Sequence, residues 1–155
     1  MAQQRSVCLG TDHAGYALKE NIKRFLTELG YEVRDFGAHT HVPDDDYPDF
    51  VIPAAEEVAA SGGKSLGVVF GGSGIGECIA ANKVPGIRAA VAYDEKTASL
   101  SRRHNDANVL CLGGRTVTKD FALARLIVRR WLETNFSKEL RHVRRIRKIA
   151  EFEKK

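Results

Sequence analysis

Cysteine is scarce in this chain. Only Cys8, Cys78 and Cys111 occur; their number is odd, their spacing wide, and no Cys-x-x-Cys is present. This excludes a disulfide framework and a zinc knuckle and fits a reducing compartment, so a cytoplasmic protein is expected. Long apolar runs are missing too. Stretches such as Gly67–Phe70 are far too short to span a bilayer, so no membrane partner is expected. The opening Met-Ala-Gln-Gln-Arg-Ser has no secretory-leader pattern. No repeat, low-complexity tract or linker divides the 155 residues, a length that suits one domain.

A chain-wide excess of one charge is also lacking. The net charge is +4, but residues 138–155 hold eight Lys/Arg against three Asp/Glu. The rest of the chain is therefore close to neutral. A local basic patch points to binding a small anion, not to coating nucleic acid. Aromatic residues hardly interleave with those basic ones, which argues against stacking on single strands.

What is present reads as strands alternating with helices. Apolar runs at Arg5–Gly10, Tyr31–Phe36, Ser65–Phe70, Arg88–Ala92 and Asn108–Leu112 predict five strands. Helical spacing predicts helices over Tyr16–Leu29, Pro48–Ala60, Glu77–Lys83 and Asp94–Arg103. A further helix capped by Thr118 should reach Glu133, and a basic one should fill residues 137–154. The third to fifth strands are apolar without alternation, as strands buried on both faces are. The expected fold is α/β: a three-layer, Rossmann-like α/β/α sandwich on a five-stranded parallel sheet. Ligands bind such sheets at the carboxyl ends of the strands.

Three segments sit at those ends, Thr11–Gly15, Gly71–Glu77 and Gly113–Arg115, and the candidate chemistry gathers in them, at His104 and in the basic tail. Gly71-Gly72-Ser73-Gly74-Ile75-Gly76-Glu77 joins a strand to a helix, and its four glycines let the chain expose successive N–H groups beside a helix N-terminus. It is neither a Walker A loop nor a clean G-x-G-x-x-G, although Asp94 stands where a ribose-binding acid would in a dinucleotide fold. Glu77 could simply complement the helix dipole. Beside an oxyanion cradle it could instead move a proton next to a carbonyl. Asp12 or Thr11 could cap the following turn. Alternatively, Asp12 could exchange a proton with a sugar hydroxyl while His13 donates to a phosphate. His104, near a helix end, could be a dipole partner or an acid for ring opening. His39-x-His41 with Asp44-Asp45-Asp46 matches no closed zinc pattern, so no metal is expected. Arg141 and Arg145 lie one helical turn apart and could grip a phosphate.

Taken in order, six segments resemble the type B ribose-5-phosphate isomerase family over nearly the whole chain. They are Gly10–Gly15, Asp46-Tyr47-Pro48, Gly71–Glu77 with Ile79–Lys83, Gly86–Ala89, Ser101–Asp106 and Arg141–Arg145. The resemblance implies an aldose–ketose isomerase of a small phosphorylated sugar, acting through a cis-enediolate without metal or cofactor. Ribose 5-phosphate is the first expectation; allose, galactose and erythrulose phosphates are the substrates of relatives. It implies a homodimer or tetramer with active sites shared between subunits. Asp12 and His104 would assist ring opening, with His104 from the neighbouring subunit. Glu77 would be the base, Ser73 and the N–H groups of Gly72, Gly74 and Gly76 would surround the oxyanion, and His13, Arg141 and Arg145 would hold phosphate. Tyr47, Asn105 and Arg115 would line the substrate. Many members carry a cysteine base at the position of Gly71, and a subset uses a glutamate six residues on, which is Glu77. Cys78 is the competing candidate, but adjacent helical residues point about 100° apart and cannot face one carbon equally well.

Overall fold

The computed structural model describes residues 5–155. The first four residues, on which the expectation about a leader falls, lie outside the described ones.

Five strands form one sheet: β1 (Ser6–Thr11), β2 (Val33–Asp35), β3 (Ser65–Gly71), β4 (Ala89–Val91) and β5 (Val109–Gly113). Their order is β2-β1-β3-β5-β4 and every pairing is parallel. Among the described residues the six α-helices are α1 (Tyr16–Glu28), α2 (Pro48–Ala60), α3 (Ile75–Asn82), α4 (Glu95–Asn105), α5 (Phe121–Glu133) and α6 (Leu140–Glu153).

The apolar strands β1, β3 and β5 lie in the middle, and their side chains alternate between two cores. Val7, Leu9, Val68, Phe70, Leu110 and Leu112 meet α1, α4 and α5, through residues such as Ile22, Ala98 and Trp131. Cys8, Val69, Val109 and Cys111 face the other way, onto Val51, Ala54 and Val58 of α2 and Ala80 and Ala81 of α3. This is the expected three-layer sandwich. The second core is built from small side chains, so α2 comes close: a Cβ on Gly10 would sit 2.7 Å from the Phe50 carbonyl oxygen. All three cysteines are free, with Cys8 and Cys111 buried.

Several boundaries differ from expectation. β2 and β4 are only three residues long, because each is an edge strand with a single ladder partner. Helix α5 is capped by Asp120, which accepts from Ala122 and Leu123. Thr118 instead exchanges hydrogen bonds with Gly113 and pins the turn after β5. The basic helix starts at Leu140 rather than 137, because Ser137 donates its N–H to Arg103 and pairs its hydroxyl with His142.

Buried charge fixes two further segments. Lys19 is 0% exposed, and its ammonium donates to both Asp35 oxygens and to the Ala38 carbonyl. It thereby ties α1 to the loop after β2. At the far end of the sheet, Arg102 and Arg88 donate to Ala107, Asn105 and Asp106 carbonyls. Two guanidinium groups thus close the C-terminal end of α4, where exposed carbonyls favour cations.

Candidate active site

The chain leaves β1, forms β2 on one side, then crosses to form β3 on the other. The sheet therefore changes direction between β1 and β3, and ligands of open α/β sheets bind at such a point. Asp12–Gly15 and Gly71–Glu77 emerge there.

Three turns meet backbone to backbone at this end. Gly114 donates to the Gly71 carbonyl (2.7 Å) and Arg115 to that of Gly72 (2.9 Å). A Cβ on Gly113 would lie 2.6 Å from Ser73, and one on Gly114 would lie 2.6 Å from the Ala14 carbonyl oxygen. Glycine is needed for that approach. Gly74, with φ of 81°, turns the chain into α3, which begins at Ile75, ahead of the predicted start at Glu77. The N–H groups of Gly72, Ser73 and Gly74 have no partner among the described residues, while the Ser73 hydroxyl accepts from Ile75. The arrangement offers a row of open donors beside a helix N-terminus.

Glu77 is 3% exposed, and its carboxylate fills the space in front of Gly71. A Cβ on Gly71 would lie 2.0 Å from the Glu77 Cδ and would overlap an Oε. The carboxylate thus takes the volume that a side chain at position 71 would use. Burial pushes its pKa up, its own N–H pulls it down, and the nearby Asp12 charge raises it further. Cys78 faces elsewhere: its Sγ lies 3.4 Å from the Ala89 carbonyl and 3.6 Å from the Asn82 amide nitrogen, on the side of Cys111.

Asp12 is buried and does cap the turn after β1, accepting from Ala14 at 3.0 Å through one oxygen. His13 sits beside it. Asp45 Oδ1 accepts from the His13 main-chain N–H at 2.7 Å and lies 2.8 Å from its Nδ1. Tyr47, before α2, lays its ring against Gly76, where a Cβ would be 2.7 Å from the hydroxyl. Arg115 reaches over Gly72. Asp12, His13, Ser73, Glu77, Tyr47 and Arg115 therefore gather at one end of the sheet.

His104, Asn105, Arg141 and Arg145 do not join them. Helix α4 runs from the carboxyl end of β4 to the amino end of β5, so its last residues lie at the opposite end of the sheet. Helix α6 packs there: the His142 and His104 rings are 4.4 Å apart, and the Gly86 N–H donates to Glu153. Burial and then the His104 charge lower the pKa of His142. Arg141 pairs with Glu139 at 2.9 Å. Asp94, the alternative ribose acid, is occupied as the α4 cap, accepting from the Thr97 N–H at 2.6 Å.

The sequence alone did not reveal Asp45, Lys19 and His142 as partners. Asp45 entered only as part of an acidic run, and nothing local marks a contact 32 residues away.

A sequence profile described as ribose/galactose isomerase matches residues 7–149. The chain belongs to that family. Ribose-5-phosphate isomerase B of Mycobacterium tuberculosis is 51% identical over 148 residues, covering 96% of this chain and 90% of that one. A structure of ribose-5-phosphate isomerase B from Clostridium thermocellum superposes with a TM-score of 0.90 at 48% identity, covering 96% and 97% of the two chains. The enzyme from Mycoplasma genitalium, in a crystal structure with bound ribulose 5-phosphate, gives 0.92 at 42% identity and 97% of each chain. The likeness to these two structures extends over nearly the whole chain.

Proposed function

We propose that this chain interconverts ribose 5-phosphate and ribulose 5-phosphate, with Glu77 as the proton-transferring base. The observation that carries the assignment of the base is the Glu77 carboxylate, buried at the switch point and seated where a residue-71 side chain would be. Burial and the Asp12 charge raise its proton affinity, which suits a group that must take a proton from carbon and return it to the neighbouring carbon. The free N–H groups of Gly72–Gly74 lie next to it to receive the enediolate oxygen. Asp12 keeps one oxygen outside its cap for the sugar hydroxyl that opens the ring. The reading needs no metal or cofactor.

One subunit holds half of this machinery at each end of its sheet. We assign the working site to a homodimer or a larger even assembly, in which a second copy brings its His104, Asn105, Arg141 and Arg145 to Glu77. Exposed apolar side chains support this: Ile75 and Ile79 flank Glu77 on α3, and Ile149 and Phe152 stand out on α6. Three free thiols fit a reducing, cytoplasmic setting, and among the described residues no helix is long and apolar enough to cross a membrane.

The test is turnover of ribose 5-phosphate by the pure protein in EDTA, without nucleotide. Robust conversion supports the reading; failure on this and on four- and six-carbon sugar phosphates overturns it.

A further inference from the structure

We propose that Asp45 is a positioning residue that holds the His13 imidazole charged, with its Nε2–H presented to the substrate phosphate; this rests on the isomerase reading above. The geometry is a clamp. One oxygen of Asp45 receives both the main-chain N–H of His13, at 2.7 Å, and its ring Nδ1, at 2.8 Å. The ring can neither swing out nor turn over without breaking the contact.

The clamp also settles the proton inventory. A carboxylate can only accept, so Nδ1 must carry hydrogen. In the neutral ring Nε2 is then a bare lone pair, which repels phosphate. Only the imidazolium offers Nε2–H. An unclamped histidine could shift tautomer and donate from Nε2 while neutral, but a clamped one binds phosphate only when charged. The charged form is favoured here. The Asp45 hydrogen bond raises the His13 pKa, burial opposes it, the Asp12 and Asp45 charges add to it, and Arg115 subtracts. His41 stands edge-on at 6.2 Å.

The placement of Asp45 has features that packing alone does not explain. It arrives on the loop between β2 and α2, through a left-handed residue, Asp44, with φ of 65°. That loop is anchored by Lys19 at the Ala38 carbonyl. Its other oxygen, Oδ2, is buried with no hydrogen-bond partner, one of two such side-chain atoms among the described residues. Leaving a buried acceptor unpaired is unfavourable, so the carboxylate is retained against its own local stability.

The test is Asp45→Asn, which keeps the shape and one acceptor oxygen but removes the charge. The His13 Cε1–H resonance, assigned with His13→Gln, is titrated in both proteins. The midpoint is expected to fall in Asp45→Asn toward the ordinary histidine range. KM for ribose 5-phosphate at pH 8 should rise about tenfold, with kcat within about threefold, the size expected for one charge-assisted hydrogen bond. At pH 6 the two KM values should converge. Equal His13 midpoints, or a KM ratio that does not change with pH, overturn the proposal; a purely structural role would lower Tm and kcat alike and leave the midpoint in place. If wild type turned over no sugar phosphate, the isomerase reading would fall, while the His13 midpoints and the binding of inorganic phosphate would still decide the clamp.

Discussion

Replacing Glu77 with Gln should abolish turnover and make the protein more stable. Glutamine is isosteric, so it keeps the space in front of Gly71 filled while removing the charge that Asp12 repels. The stability argument follows from burial. Glu77 has its pKa raised above the ordinary 4.5, first by desolvation. A carboxyl raised in the folded state binds more protons folded than unfolded once the pH exceeds 4.5. Wild-type stability therefore declines as pH rises from there to the folded value, and the loss persists above it. Each tenfold rise in the proton affinity of a folded carboxyl costs about 1.4 kcal/mol of stability at neutral pH. Glu77→Gln should therefore melt above wild type, by about 2–4 °C for each kcal/mol regained in a chain of this length. The gain should appear at pH 7–8 and vanish below pH 4.5, in thermal melts followed by circular dichroism. Loss of a general base removes about 10²- to 10⁴-fold in rate, so kcat should fall on that scale with KM little changed. Turnover within tenfold of wild type would refute Glu77 as the base. An unchanged Tm at pH 8 would refute the buried-charge reasoning.

Four other outcomes are expected. Gly71→Ala should fold, because the group it meets is the flexible end of Glu77, yet lose activity about as completely as Glu77→Gln; near-normal kcat would show that the carboxylate does not work from this position. Co-expression of Glu77→Gln and His104→Asn subunits, each inactive alone, should restore about one quarter of wild-type activity, since half of randomly formed dimers then hold one intact site; no recovery would place both residues in one subunit's site. Cys78→Ala should keep turnover within a few-fold, because its sulfur faces Ala89 and Cys111, and a collapse in kcat would make it the base. Lys19→Ala should cost about 1–3 kcal/mol in urea unfolding, because the Ala38 carbonyl loses its donor while Asp35 keeps Lys23 as a partner, and unchanged stability would contradict a role for the buried ammonium in tying α1 to the loop after β2.

The sandwich was legible because its decisive strands are buried on both faces and therefore apolar throughout. Gly30, with φ of 85°, follows the end of α1, and Pro48 opens α2. The edge strands are shorter than their apolar runs, since apolar composition does not tell a ladder residue from one that merely continues the chain. Site residues on the turns of β1 and β3 could be named because strand ends are local features. The Asp45–His13 and Lys19–Asp35 pairs could not, for their partners lie 32 and 16 residues apart and no period links them. The separation of His104 from Glu77 follows from the strand order, which only the fold supplies. The tail helix begins late because one serine, Ser137, commits its hydrogen bonds to α4 and His142.

The Glu77 carboxylate and a residue-71 side chain compete for one volume, and this constrains how the sequence can drift. Positions 71 and 77 are not independent sites. A substitution at 71 made while Glu77 remains evicts the carboxylate, and loss of Glu77 while Gly71 remains leaves a hole. With Glu77 as the proposed base, every single step between a base on the strand end and a base on the helix passes through a crippled intermediate. A compound shaped to the space around Gly71 would therefore discriminate between the two arrangements.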